Sequence, residues 1–161
     1  MDSKNYKFDF TIPQGPTGPA GPSHGLNAYG ARYNNVSTFL SLGIDSPVQV
    51  SLPNFTTANA VNYTATNSIT VESDGTYEIT YALNVTGSVS TTLTVVVREN
   101  GTDILATRNE KSIGATSETF FYGNMIYTFQ QGDIVDLAVS APENVTVTFN
   151  NNASLVLKQI D

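Results

Sequence analysis

The chain has no cysteine, no tryptophan and a single histidine, His24, in its 161 residues. Without thiols there is neither a disulfide framework nor a thiolate metal site. Pairs of a nucleophile with a histidine have almost no material to draw on. Charge is sparse too: 13% of the residues are Asp, Glu, Lys or Arg, and fourteen acidic against seven basic residues leave a net charge of -7. A surface of that sign repels phosphate backbones, so nucleic acid is not an expected partner. No apolar run approaches membrane-spanning length. Residues 1–14, MDSKNYKFDFTIPQ, lack the apolar stretch of a secretory signal. Membrane insertion is not expected, and either an export signal has been replaced or the protein reaches its destination by another route.

The few acidic side chains do not gather into a reaction centre. A hydrolase using two carboxylates would draw on Glu72, Asp74, Asp133 and Asp136, and all four read as strand-end or turn residues. An oxygen-ligand calcium site would need Asp133 and Asp136, but three residues apart on a strand they point to opposite faces. The sequence is therefore read as non-enzymatic, with no metal and no cofactor. Six Asn-X-Ser/Thr matches begin at Asn35, Asn54, Asn62, Asn84, Asn144 and Asn152. In a chain this rich in Asn and Thr, most arise by chance.

What is present begins with glycine and proline. Residues 15–23 read as three Gly-X-Y triplets, with Gly15, Gly18 and Gly21 each followed by Pro16, Pro19 and Pro22. Glycine at every third place is what a collagen triple helix requires, because only glycine fits where three chains meet at the axis. Nine residues of such strand span roughly 28 Å at about 3.1 Å per residue. The same run also serves as a stiff spacer that keeps its ends apart without a partner chain. The chain divides into a lead-in (1–14), this collagen-like segment (15–23) and a body (24–161).

The body reads as strands. Tyr77, Ile79, Tyr81, Leu83 and Val85 alternate with polar or small residues after the turn pair Asp74-Gly75. Leu93, Val95 and Val97 repeat the pattern up to Asn100-Gly101, which predicts a tight hairpin returning through residues 104–107. Further strands are predicted over 37–42, 48–51, 60–64, 68–71, 118–122, 125–129, 134–139, 145–149 and 154–159. No window shows helical spacing, so parallel α/β architecture, which needs crossover helices, is excluded. About ten short strands with Gly, Asn, Asp and Pro between them specify an all-β sandwich of two sheets.

Sixteen aromatic rings, eight Tyr and eight Phe, are many for one such core. In residues 118–129, apolar side chains fall on both faces, with Phe120 and Tyr122 on one side and Phe121 on the other. A strand of this kind is covered on both sides, by a second sheet plus either a loop or a neighbouring subunit.

Four stretches carry a resemblance. They are Phe10-Thr-Ile-Pro-Gln-Gly-Pro-Thr-Gly-Pro19, Asp74-Gly-Thr-Tyr-Glu-Ile-Thr-Tyr81, Phe129-Gln-Gln-Gly-Asp-Ile-Val135 and Asn152-Ala-Ser-Leu-Val-Leu-Lys-Gln-Ile160. In this combination and order the chain resembles the C-terminal domain of bacterial collagen-like spore-surface (exosporium) glycoproteins. These belong to the tumour-necrosis-factor-like and complement-globular-head superfamily. The resemblance implies a ten-stranded jelly roll, trimeric about a threefold axis, with both termini at the base where the collagen-like stalk enters. It implies a structural head of a surface filament on a spore or cell, partnered by two copies of itself and by other surface proteins. Family members usually carry dozens of triplets.

On the strand pattern, the expected intersubunit residues are Tyr29 and Tyr33 at the start of the body, Phe121, Tyr122 and Tyr127 in the two-faced segment, and Leu155 and Leu157 in the last strand. The alternative function is recognition, by a phage fibre tip or a carbohydrate- or receptor-binding head. It would use the loops at residues 43–47 and 141–144.

Overall fold

The computed structural model describes Lys4 and residues 26–161, and the three triplets fall outside that range. The strands are β1 (Tyr29–Asn34), β2 (Thr38–Leu42), β3 (Val48–Gln49), β4 (Asn54–Phe55), β5 (Val61–Asn62), β6 (Ile69–Val71) and β7 (Gly75–Gly87). They continue as β8 (Thr91–Glu99), β9 (Thr102–Asp103), β10 (Asn109–Ile113), β11 (Thr119–Phe129), β12 (Ile134–Ser140) and β13 (Val145–Gln159). One sheet has the order β11-β7-β13-β1-β4, with β2 beside the first part of β13. The other has the order β10-β8-β12-β6-β5, with β3 on β12 and β9 on β8. All these pairings are antiparallel, and the two sheets face each other as the expected jelly-roll sandwich.

Period-2 alternation builds the core. Tyr77, Ile79, Tyr81, Leu83 and Val85 of β7 turn inward and meet Leu93, Val95 and Val97 of β8, Val135, Leu137 and Val139 of β12, and Val147, Phe149, Leu155 and Leu157 of β13 in one buried cluster. Thirteen strands are found where about ten are expected. Four of them, β3, β4, β5 and β9, are two-residue pairings too short to carry a readable period.

Two pairs of strands expected to be separate are single strands. Residues 118–122 and 125–129 join into β11, which pairs with β7 along its whole length. Gly123 is not a turn. It lies opposite Tyr81, and a Cβ there would stand 2.2 Å from the Tyr81 ring, so glycine leaves room for the ring that crosses beneath it. The ring is held from its far end, where the Tyr81 hydroxyl donates to the Thr107 carbonyl at 2.7 Å.

Residues 145–149 and 154–159 likewise form one strand, β13, interrupted by a bulge between Phe149 and Ala153. Asn151 there has φ +56°, a conformation asparagine tolerates better than most residues. The bulge falls where the neighbour of β13 changes from β2 to β1.

The Asn100-Gly101 turn forms as expected, with both residues at positive φ (51° and 81°). Its returning strand is only β9, and the chain then makes a 3-10 turn over Leu105–Thr107 before β10. β10, Asn-Glu-Lys-Ser-Ile, buries only Ile113 and so shows no apolar period. β1 was also illegible as a strand. Its inward positions are Gly30, Arg32 and Asn34, which are not apolar markers.

Both ends of the described body meet. The Gln159 N–H donates to the Ala28 carbonyl at 2.8 Å, and the Asn27 side-chain amide donates to the Asp161 carbonyl at 3.0 Å. We call this end the base. From it β7 runs to Gly87, so the loops around residues 43–47, 88–90, 114–118 and 141–144 form the opposite, distal end.

Candidate functional site

The register of the first sheet arranges its outer face in rows. Tyr122, Ala82, Ser154 and Tyr33 lie side by side across β11, β7, β13 and β1. The next row toward the base is Asn124, Thr80, Val156 and Ala31, and the one after it is Ile126, Glu78, Lys158 and Tyr29. On the distal side Phe120 stands opposite Asn84, and Phe39 of β2 stands opposite Thr148. The largest apolar groups therefore occupy the two margins, with Val156 and small or polar residues between them. Phe120, Tyr122 and Ile126 on one margin are 50%, 52% and 59% exposed, and Phe39 on the other is 76% exposed.

One polar device interrupts this face. Lys158 pairs with Glu78, and the Asn124 amide bridges Glu78 (2.9 Å) and the Thr80 hydroxyl (3.0 Å). The hydrogen bond from Lys158, followed by that from Asn124, holds the Glu78 carboxyl below its ordinary range. The free edge of β11 is closed by side chains of β10: Lys111 donates to the Phe120 carbonyl at 2.7 Å and Asn109 to the Tyr122 carbonyl at 3.1 Å. These caps remove backbone groups that would otherwise invite a further strand.

Against this geometry the seven expected interface residues divide. Tyr29, Tyr33 and Tyr122 lie on the outer face. Phe121, Leu155 and Leu157 do not. All three are fully buried inside one chain, because their parity places them between the sheets, and they leave no surface for a neighbour. Tyr127 also faces inward. Its ring tilts against Phe129 at 4.9 Å and its hydroxyl bonds Glu99 at 3.0 Å. Period-2 spacing identifies which residues share a face but not which face is inside, so Phe121 was read with the wrong set. Phe39, Phe120 and Ile126 belong to the outer face instead. The signal for Phe120 and Ile126 was available, since both share parity with Tyr122.

The carboxylates are engaged separately. Asp136 forms a two-pronged pair with Arg98 at 2.7 and 2.9 Å and accepts from Gln49 at 3.0 Å. Asp133 accepts from the Gln130 N–H (2.7 Å) and the Asn100 amide (2.8 Å). Burial pushes its carboxyl up, and these hydrogen bonds outweigh burial to leave it lowered. Glu99 beside it is raised, first by burial and then by Asp133. Asp74 accepts from the Gln131 N–H and Glu72 from the Asn62 amide. Among the described residues no three His, Asp or Glu side chains converge in a way that would hold a metal ion. No described helix is long and apolar enough to cross a membrane.

A second unread feature is Arg32, which is 5% exposed. Among the described residues no carboxylate pairs with it. Its guanidinium donates to the carbonyls of Ser68 (2.6 Å), Leu52 (3.1 Å), Tyr63 (2.6 Å) and Ala65 (3.0 Å), and lies 5.3 Å from the Tyr63 ring centre. Loss of water around it lowers its pKa from the ordinary value. It stitches the segment before β4 and the loop between β5 and β6 to β1.

The distal loops named from sequence come together. Asp45 N–H donates to the Ala141 carbonyl at 2.9 Å, and residues 44 and 141 form a parallel bridge. Two shallow depressions of about 370 and 350 Å³ flank the 141–144 loop, the first bordered by β8 and β10 and the second by β2 and β13.

No family model matches this chain, and no curated protein matches it. Solved structures do. Murine APRIL at pH 5.0 aligns with a TM-score of 0.59 at 13% identity, over 82% of this chain and 99% of that one. Eiger TNF from S. frugiperda aligns at 0.56 and 14% identity, over 84% and 93%. The PRD1 vertex protein P5 aligns at 0.55 and 9% identity, over 85% and 99%. The fold is a tumour-necrosis-factor-like jelly roll. At these identities the likeness is one of fold alone.

Proposed function

We propose that the chain is a self-associating head, three copies of which close around the outer face of the first sheet and gather three collagen-like segments at the base. The reading places it on a spore or cell surface, as the resemblance of its sequence motifs implies. The observation that carries it is the pair of apolar margins: Phe120, Tyr122 and Ile126 on β11, and Tyr29, Tyr33 and Phe39 across the sheet. Half-exposed rings in register on one face mark an interaction surface rather than scattered exposed apolar residues.

Because the two margins differ, one copy's β11 side meets the next copy's β1 and β2 side. Such head-to-tail contact gives a ring when its rotation closes. The Gly-X-Y run at residues 15–23 independently calls for three chains. The Ala28 and Gln159 contact brings the segment after that run to the base beside the C-terminus. Association of the heads would then make registration of the three tails intramolecular.

Light scattering coupled to chromatography tests the reading on the full chain and on residues 25–161. A threefold mass for both is expected, with the association energy in the sandwich. A monomeric full chain overturns the proposal.

A further inference from the structure

We infer that, within the self-association proposed above and resting on it, the Glu78–Lys158 pair sets the orientation in which copies meet, so that all three bases lie at the same end.

The outward positions of β1, β2, β7, β11 and β13 carry only two charged side chains, Glu78 and Lys158. They stand directly opposite each other in the ladder. In a chain of net charge -7 this face is therefore neutral, and like copies can approach there without the mutual repulsion felt elsewhere. Within one chain the pair is complete: one Glu78 oxygen takes Lys158 and the other takes the Asn124 amide at 2.9 Å. The Lys158 and Glu78 side chains still keep 40% and 30% of their surface in water. Lys158 also has N–H groups left to donate.

The place of the pair decides the geometry. It lies toward the base, in the row Ile126, Glu78, Lys158, Tyr29. When one copy's β11 margin meets the next copy's β1 margin, this row repeats around the axis at one level and the charges alternate in sign. A copy turned end over end reverses the row and carries it to the other level. Distal rings such as Phe120 and Phe39 then come over Glu78 and Lys158, which lose water and gain no partner. Covering an ion pair in that way costs more than it returns. The inverted arrangement is thus selected against, whereas a wholly apolar face would accept a neighbour either way up.

The absence of cysteine allows one label per chain. Ser46→Cys, in the exposed distal loop, carries a nitroxide, and dipolar electron spin resonance of the full chain reads distances between copies. β7 has 13 residues, and at about 3.3 Å each it spans roughly 43 Å, so inversion displaces a label by about that length. With both charges in place, one short distance is expected. Glu78→Met with Lys158→Met is expected to leave the copies associated and to add a second, longer distance. The exchanged pair, Glu78→Lys with Lys158→Glu, is expected to restore the single distance. One distance in the doubly methionine-substituted chain overturns the inference, and so does its dissociation to monomers, which would make the pair a source of affinity rather than of orientation. An exchanged pair with two distances overturns it as well. A chain with both charges in place that is monomeric by light scattering overturns the inference together with the proposed self-association, so the mass tells the two failures apart.

Discussion

The two faces of β11 carry the same kinds of side chain and differ in what covers them. Inward, Phe121 and Phe129 are completely buried against β7 and the opposing sheet; outward, Phe120, Tyr122 and Ile126 keep half or more of their surface in water. Equal residues on one strand thus do unequal work. The inner set holds one chain together, and the outer set is free to hold copies to each other.

Substitution at neighbouring positions should separate the two roles. Phe121→Ala is expected to destabilise the fold by about 3–5 kcal/mol, lowering the melting temperature by about 10 °C. Phe120→Ala should leave the unfolding of the isolated sandwich nearly unchanged. Equal losses at the two positions, read by calorimetry, would erase the distinction between the faces.

Arg32→Met extends the inner side of the comparison. Four carbonyls, those of Leu52, Tyr63, Ala65 and Ser68, lose their donor together. Stability measured in urea should fall by about 3 kcal/mol, since buried polar groups left unsatisfied are expensive. A loss below about 1 kcal/mol would mean that water replaces the guanidinium.

On the outer side, Tyr122→Glu with Ile126→Glu should convert the assembled species to monomers while the circular dichroism spectrum stays that of a folded β protein. Six added charges per three copies would otherwise sit in apolar contact. An unchanged mass would move the interface off this face.

The smallest effect concerns pH. The Glu99 carboxyl is raised in the folded state by burial and then by Asp133. A raised folded value gives stability that is present below the ordinary glutamate pKa and lost as pH climbs through the folded one. Glu99→Gln keeps an acceptor for the Tyr127 hydroxyl. It should raise the melting temperature slightly at pH 7 and have no such benefit below the ordinary range. Asp161 shows the opposite sign. The Thr76 N–H and then the Gln159 amide depress its carboxyl, so its contribution is present above the ordinary aspartate pKa and fades as pH falls through the folded value. A Glu99→Gln benefit that persists in acid would contradict this account.

Much of the sandwich was legible because alternation at β7, β8, β12 and β13 is strong, and turn pairs such as Asn100-Gly101 mark their ends. β1 and β10 were not, because one points Gly, Arg and Asn inward and the other buries a single residue. Gly123 and the three asparagines of the β13 bulge look like turns in one dimension. They become a ring-crossing and a change of neighbour only when β7 and β1 lie beside them.

The candidate surface was half legible, since Tyr29, Tyr33 and Tyr122 have the right parity and Phe121, Leu155 and Leu157 do not. The pairing of Glu78 with Lys158 was not legible, because only the ladder sets β7 beside β13.

By itself the amino-acid order determined an all-β body, a run of three Gly-X-Y triplets, and the absence of thiol chemistry, because these follow from local period and composition. Tertiary structure alone decided which face of each strand is inside. Alternation is symmetric under exchange of the two faces, and only the opposing sheet breaks that symmetry.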